Sequence, residues 1–185
     1  MKDVEFDPNL ETKIICHGWN SDGFVFTYPF VEAYFGQKEQ KINIIAIEYA
    51  SLVSWDNYFV AATNVIRTGE FVAQNLAQKI LVEKFAQDPN KIHIIGHSLG
   101  AHMAGHMGRS FKNSYGKSVK RITGKFYLIS SLSLIHLKNI FLTISALDPA
   151  KPWFDFSDSS NRLSKEDAQL VDVIHTNSGD LLDVR

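Results

Sequence analysis

A glycine-flanked serine at residues 96–100 (GHSLG) constrains the fold of this chain more than any other stretch. The run before it, residues 91–95 (KIHII), is rich in β-branched apolar residues and predicts a buried strand, and the residues after it predict a helix. A serine at the tip of so tight a turn has a strained backbone, and the positions two before and two after it must lack a Cβ. Gly96 and Gly100 satisfy that requirement. The pattern predicts a nucleophile elbow with Ser98 at its tip.

Strand and helix patterns alternate on both sides of the elbow. Strands are predicted over residues 13–16, 42–47, 91–95, 119–123 and 170–175, and helices over residues 28–35, 63–85 and 101–107. Such alternation is typical of a mostly parallel sheet with right-handed crossovers and helices on both faces. The strand 42–47 is almost wholly apolar, which favours helices on both faces of the sheet, because a strand covered on both sides has no polar face. With 185 residues, of which 45% are hydrophobic, the chain can bury one core as a single α/β domain, and the elbow makes it an α/β-hydrolase fold.

An early strand breaks into a His17-Gly18-Trp19 turn that is followed by loop-forming residues. A serine nucleophile needs N–H donors for the oxyanion that develops on the attacked carbonyl. In an α/β-hydrolase fold one donor is the backbone N–H after the nucleophile, and the other comes from the loop after an early strand. These donors would be Leu99 and Trp19. Taken alone, the turn also fits an ordinary strand end with a buried Trp.

A candidate acid follows at residues 146–150 (ALDPA). The apolar run ends in Asp148, and Pro149 stops the strand and prevents an early helix start. This arrangement places a carboxylate at the carboxyl edge of a sheet, where a catalytic base needs orienting. An aspartate before proline is also common in plain turns. The order Ser98 then Asp148 matches the chain order of α/β-hydrolases.

Several motifs in order resemble the pancreatic-lipase-like family, in particular its insect neutral lipases and venom phospholipases A1. The residues that carry the resemblance are 16–23 (CHGWNSDG), 49–58 (YASLVSWDNY), 64–67 (NVIR), 96–102 (GHSLGAH), 147–150 (LDPA) and 171–177 (VDVIHTN). The resemblance runs from about Phe6 to Asp183, apart from one inserted segment. It implies a secreted enzyme that cleaves carboxylic esters of glycerolipids at a lipid–water interface, as a triacylglycerol lipase or phospholipase A1, without a cofactor.

The family pattern also assigns roles to individual residues. By resemblance, Ser98 is the nucleophile, Asp148 is the triad acid, and Trp19 with Leu99 supplies the oxyanion donors. The alternatives are a non-catalytic relative that binds lipid or serves as a storage protein, and a nonspecific soluble α/β domain. A fluorophosphonate probe separates them, because labelling of Ser98 requires a working nucleophile.

The general base is the triad member for which the residue order and the family pattern give different answers. Of the seven histidines only His175 follows Asp148, so the order Ser, Asp, His alone points to it. The family pattern disagrees, because it places the catalytic histidine well downstream of the strand that ends at His175. The resemblance therefore implies that His175 is a structural residue at a strand end and that the chain lacks its base. A base or supporting role for His175 is the alternative.

The N-terminal residues contain no apolar run typical of a signal peptide. Members of the resembled family carry such a peptide and further N-terminal strands, so we expect a chain that is incomplete at both ends. Cys16 is the only cysteine, which permits no internal disulfide and predicts a buried thiol beside the His-Gly-Trp turn.

Residues 124–145 break the family pattern, in which an Arg-Ile-Thr strand runs directly into Leu-Asp-Pro-Ala. Polar residues such as His136 and Lys138 make this stretch unsuitable for a membrane span. Its apolar residues and lack of turn chemistry make it equally unsuitable for a surface loop. We therefore predict an aberrant insertion.

A retained intron would account for this insertion. The codons of Gly124-Lys125 can contain a splice donor, and those of Ser145-Ala146 can contain an acceptor. Removal of residues 124–145 keeps the reading frame and joins Thr123 directly to Ala146. A dominant mRNA that retains these codons, or a gene that lacks GT and AG at these two points, would contradict the hypothesis.

Other chemistries find less support. A formal net charge of −1 without a basic stripe excludes typical nucleic-acid binding. His102 and His106 could share a helix face like a zinc pair, but Met103 stands where H-E-x-x-H has glutamate, so no metal is predicted. The aromatic residues near the early loops either line an acyl cleft or belong to the core. They are Tyr49, Trp55, Tyr58 and Phe59.

Overall fold

In a computed structural model, the described residues are 6–36, 41–54, 57–125, 154 and 158–174. Five strands form one sheet of order β2-β1-β3-β4-β5, and every neighbouring pair is parallel. The strands are β1 (Glu11–Cys16), β2 (Ile42–Ile47), β3 (Ile92–His97), β4 (Arg121–Lys125) and β5 (Leu170–Ile174). The predicted parallel α/β architecture is confirmed.

Three helices cross over between the strands. They are α1 (Gly23–Phe35), α2 (Tyr58–Val72), which continues into a π-helical segment (Ala73–Lys84), and α3 (Leu99–Tyr115). Short 3₁₀ turns cover Ala50–Leu52, Pro89–Lys91 and Ser159–Asn161. In the described ranges no helix is long and apolar enough to cross a membrane.

Two helices start earlier than the periodicity predicts because polar side chains cap them. The Asp22 carboxylate accepts hydrogen bonds from the N–H groups of Phe24 and Val25, which starts α1 at Gly23. The Asn57 side chain does the same for the first turn of α2. Helix starts are therefore set here by caps rather than by the first apolar residue.

Helices cover both faces of the sheet, as predicted. On one face α2 and α3 pack against Ile14, Ile92 and Ile94 in the main core. On the other face Phe26 and Phe30 of α1 pack against Ile15 and Ile95. The resulting burial of the isoleucines of β1 and β3 on both faces is the main contribution to the stability of this layered structure.

Strand β2 departs from its prediction. Its six residues are only half-buried, because β2 has β1 on one side and is the edge of the sheet in the described ranges. Strand β4 also differs, since it runs to Lys125 rather than ending at Thr123. It therefore contains Gly124 and Lys125, the first two residues of the predicted insertion. Residues 126–145, the remainder of that segment, lie outside the described residues.

Candidate active site

The predicted elbow is present between β3 and α3. Ser98 has φ +54° and ψ −118°, a conformation that L residues other than glycine rarely adopt. A Cβ on Gly96 would lie 2.1 Å from the Gly100 carbonyl oxygen, and a Cβ on Gly100 would lie 2.3 Å from that of His17. Both glycines are therefore required by close backbone contact. Within the described part of the chain, the Ser98 hydroxyl makes no capping hydrogen bond to α3.

The first turn of α3 contains Leu99, whose N–H is one of the two donors predicted from the sequence. Leu99 is its first residue, and amides in the first turn of a helix have no intrahelical acceptor. The positive end of the helix dipole adds to the field at this point. The Leu99 N–H thus lies where a negative charge near Ser98 would be stabilised.

The His-Gly-Trp turn packs directly against the elbow. A Cβ on Gly18 would lie 3.0 Å from the Ser98 Cβ and 2.9 Å from Nδ1 of His97. The turn follows β1, which pairs with β3 so that Cys16 is in register with Gly96. Adjacent parallel strands therefore deliver the turn and the serine to the same edge of the sheet, with the Trp19 amide one residue from the contact.

The His17 side chain holds the peptide that carries the Trp19 N–H. Its Nδ1 donates to the Gly18 carbonyl at 2.9 Å, and its Nε2 accepts from the Tyr49 N–H at 3.4 Å. These partners assign the neutral Nδ1–H tautomer. Burial lowers the pKa of His17 and outweighs the opposing effect of the nearby Glu48 carboxylate. The imidazole is therefore a neutral positioning group and not a proton shuttle at this place.

Tyr49 clamps the same turn from the other side. Its ring stacks on His17 at a centroid distance of 4.1 Å, and its hydroxyl donates to the His17 carbonyl. The side chain is only 4% exposed, and burial raises the pKa of the phenol well above its usual value. No sequence motif assigned Tyr49 this role, although its place just beyond the apolar β2 run puts it at the carboxyl edge of the sheet.

The rest of the His-Gly-Trp turn is held by hydrogen bonds to residues 53 and 54. The Trp19 indole N–H donates to the Ser54 carbonyl at 2.8 Å, and the Asn20 N–H donates to the Val53 carbonyl at 2.8 Å. Trp19 also meets Tyr58 edge-on at 5.2 Å. These contacts fix the turn by backbone and side-chain bonds alike.

The structure thus brings together five of the predicted site residues and leaves two undescribed. Gly96, Ser98, Leu99, Gly100 and Trp19 converge at the carboxyl edge of the sheet. Asp148 and His175 lie outside the described residues. Strand β4 pairs Lys125 with His97, so β4 ends level with the elbow.

The histidine pair on α3 has separate structural partners. His102 accepts a hydrogen bond from the Leu163 N–H at 3.1 Å and stacks on Phe154 at 3.7 Å. His106 contacts the Asn161 carbonyl at 3.1 Å, and burial lowers its pKa. Within the described ranges no group of three potential metal ligands is found.

The aromatic candidates divide between core and surface. Tyr49 is buried, Tyr58 packs partly against the core, and Phe59 is 58% exposed at the start of α2. Trp55 lies outside the described residues.

Cys16 is fully buried as predicted. Its thiol faces the Met107 sulfur at 3.8 Å, and burial raises the pKa of the thiol to about 12. The thiol is therefore unreactive at neutral pH.

Comparison with known proteins finds one family. The family model described as Lipase matches residues 1–125 and 137–184. The hepatic triacylglycerol lipase of Homo sapiens is 32% identical over 178 residues, which cover 95% of this chain and 30% of that protein. The lipoprotein lipase of Sus scrofa is 31% identical over 172 residues, or 92% of this chain and 30% of that protein. The chain therefore spans about a third of the length of these relatives.

Proposed function

The chain belongs to the lipase family, and from this premise we propose that it hydrolyses carboxylic esters of lipids through a serine acyl-enzyme. The observation that carries the proposal is the left-handed Ser98 at the strand–helix turn, with the Gly18 backbone packed on its Cβ. That contact supports a nucleophile next to two proposed backbone donors, which are two of the parts that acyl transfer needs beside a general base.

The proposed chemistry has two halves. Ser98 Oγ attacks the ester carbonyl carbon while a base takes the hydroxyl proton, and the carbonyl oxygen becomes an oxyanion held by the N–H groups of Leu99 and Trp19. Collapse of this intermediate breaks the bond to the alcohol, which leaves with that proton. Water then attacks the acyl-enzyme by the same route, which releases the fatty acid and restores Ser98. Asp148 is the proposed orienting acid.

The substrate class is proposed from the relatives and the sequence resemblance together. A triacylglycerol and the sn-1 ester of a phospholipid are the two candidates, and an extracellular lipid–water interface is the proposed setting. Parallel assays on a triacylglycerol emulsion and on phosphatidylcholine decide between the two esters.

Labelling with a fluorophosphonate probe tests the nucleophile. Because labelling also needs the base, we expect Ser98→Ala to abolish any labelling of the wild-type protein and Ser110→Ala, at a half-buried position of α3, to leave that labelling unchanged. Labelling that survives in Ser98→Ala would refute the proposal. A protein that binds lipid vesicles but is never labelled would instead support the non-catalytic lipid-binding alternative.

Replacement of His175 by alanine tests the base. The family pattern places the base elsewhere, so we expect this chain to turn over nitrophenyl butyrate very slowly and His175→Ala mainly to lower thermal stability. Turnover at ordinary enzyme rates that His175→Ala abolishes would make His175 the base.

A further inference from the structure

A cleft with a polar lining lies between α2 with its π-helical continuation, α3 and the turn Ser159–Asn161, and we call it the polar cleft. Its volume is about 600 Å³, which is within the range of small-molecule binding sites. The lining residue of α3 that is nearest to Ser98 is His106, about 12 Å along the helix. The polar cleft is therefore separate from the candidate active site.

Two walls of the cleft are helix faces. The side chains of each wall follow one another four residues apart, which puts them on one side of their helix. They are Ile66, Glu70 and Gln74 on one wall and His106, Ser110 and Ser114 on the other. Beside the cleft the helices touch at Gly69, where a Cβ would lie 2.7 Å from the Met103 carbonyl oxygen and 2.9 Å from the His106 Cβ. This close backbone contact fixes the distance between the two walls.

The third wall is held in place by the guanidinium group of Arg109. Its nitrogens donate to three carbonyl oxygens of residues 159–162 and to both carboxylate oxygens of Asp167. Asp167 is only 1% exposed, so this ion pair is shielded from water. The positive charge of Arg109 is thus balanced, and most of its donors are already used within the chain.

A buried imidazole contributes to the lining. His106 is only 4% exposed, and its Nε2 donates to the Asn161 carbonyl at 3.1 Å. Nδ1 is then a lone-pair acceptor. Burial lowers the pKa of His106 and outweighs the opposing effects of the Asn161 bond and the Glu70 carboxylate. The ring is therefore neutral at pH 7.

The other lining groups indicate the kind of ligand. Apart from Ile66, His106 and Arg109, the described lining consists of hydroxyl and amide side chains and one carboxylate, Glu70. Hydroxyl and amide groups both donate and accept hydrogen bonds, as the hydroxyls of a sugar do. An anion would meet the Glu70 carboxylate and an arginine whose charge is already balanced, which disfavours it.

We propose that the polar cleft binds a small neutral polyhydroxy compound of the size of a disaccharide. The ligand hydroxyls donate to the Glu70 carboxylate and to Nδ1 of His106, and they accept from the side-chain amides of Gln74 and Asn113. The walls are formed before the ligand arrives, so little ordering opposes its binding. This site is independent of the proposed ester hydrolysis.

An NMR titration of the ¹⁵N-labelled 185-residue chain with maltose tests the proposal. We expect saturable amide shifts at the lining residues of α2 and α3, with a dissociation constant on the order of 1 mM. Glu70→Ala with Asn113→Ala should weaken binding about fivefold or more. The matched control is Glu83→Ala with Asn9→Ala, which should bind like wild type. All four side chains are exposed, so both variants are expected to fold.

Three results would overturn the proposal. They are the absence of saturable shifts at about 50 mM maltose, an equal loss of affinity in both double variants, and equal or tighter binding of maltose 1-phosphate, the matched anionic probe. Ser98→Ala should bind maltose like wild type. A loss of binding in this variant would place the sugar at the elbow and overturn the proposal as well.

A free sugar and the terminal sugar of a glycan have the same hydroxyl chemistry. Titration with a glycopeptide that carries a neutral mannose glycan distinguishes the two sources. Tighter binding of the glycopeptide than of maltose would support the cleft as a glycan site, and weaker binding would support it as a site for the free sugar.

Discussion

The strained backbone of Ser98 is maintained by its neighbours. A left-handed conformation costs a non-glycine residue about 1–3 kcal/mol, and the bonds of β3 and α3 on either side hold it in place. Gly96 and Gly100 permit the backbone contacts that this geometry requires. In the proposed reaction, a serine held in this way needs no change of backbone conformation, which is how preorganisation lowers a barrier.

Removal of the Tyr49 hydroxyl tests how the His-Gly-Trp turn is held in place. In Tyr49→Phe the His17 carbonyl loses its hydrogen bond while the ring stacking is kept. We expect the free energy of unfolding to fall by about 1–2 kcal/mol and fluorophosphonate labelling of Ser98 to slow by about tenfold, because the Trp19 N–H loses its alignment. Urea denaturation and labelling time courses measure the two effects.

Tyr115→Phe is the control, because it removes a phenol at the far end of α3. It should leave the labelling rate as it is in wild type. A Tyr49→Phe protein that labels at the wild-type rate would show that the hydroxyl serves stability alone.

At the scale of elements, a row of polar side chains connects four strands across one face of the sheet. Lys13 lies 3.0 Å from Glu11 and 3.1 Å from Nδ1 of His93, whose Nε2 lies 2.8 Å from the Thr123 hydroxyl. Thr123 in turn donates to Asp172, which also pairs with Arg121. Such a row favours one register of the parallel strands, because a slip would leave buried polar groups unpaired.

The buried imidazole in this row predicts acid sensitivity. Burial, with help from the Lys13, Arg121 and Lys120 charges, lowers the pKa of His93 to about 2, whereas in the unfolded chain it is about 6.5. Between these values the unfolded chain binds a proton that the folded chain does not. Stability is therefore complete above about pH 6.5 and falls as the pH drops, by about 1.4 kcal/mol per pH unit.

Urea denaturation between pH 7 and pH 5 measures this slope, and His93→Gln supplies the comparison. We expect the variant to be less stable at pH 7. We also expect its free energy of unfolding to depend less steeply on pH, by about the 1.4 kcal/mol per pH unit that one histidine contributes. Burial also lowers the pKa values of His17 and His106, so these two residues still contribute to the pH dependence of stability in the variant. An unchanged slope in His93→Gln would contradict the assignment.

At the scale of the whole molecule, residues 126–145 separate β4 from the proposed acid Asp148 in the sequence. The family model matches residues on both sides of residues 126–136 and leaves those residues out. They fall within the segment predicted to be an insertion. Since β4 ends level with the elbow, a chain without residues 124–145 would place Ala146 and Leu147 at the last two positions of β4. Asp148 would then follow directly, beside Ser98.

A deletion variant tests that prediction. We expect the chain without residues 124–145 to unfold at a higher temperature, because an apolar segment no longer has to be accommodated between strand and carboxylate. Asp148→Asn in the deletion variant should keep the gain in stability, because the proposed role of the carboxylate is to orient a base and not to stabilise the fold. A lower melting temperature would argue that the segment belongs to the fold.

Local sequence was sufficient for the parts of this protein that depend on neighbours along the chain. Glycine spacing around Ser98 predicted the elbow, because the close contacts of Gly96 and Gly100 follow from one tight turn. Apolar runs likewise predicted all five strands of the parallel sheet. Caps such as Asp22 and Asn57 were also visible in the sequence, but the apolar periodicity masked their effect on the helix starts.

Only the tertiary structure showed the contacts between segments that are far apart in the sequence. The clamp of Tyr49 on His17 and the polar row from Lys13 to Asp172 depend on which strands are neighbours and on their register. Neither follows from spacing along the chain. The exposure of Phe24 and Phe59 is of the same kind, because periodicity cannot distinguish a helix face that packs on the sheet from one that faces outward. The local sequence therefore determined the elbow motif and the strands. The fold decided the side-chain contacts, the burial of each residue and the pKa shifts, because these depend on distances in three dimensions.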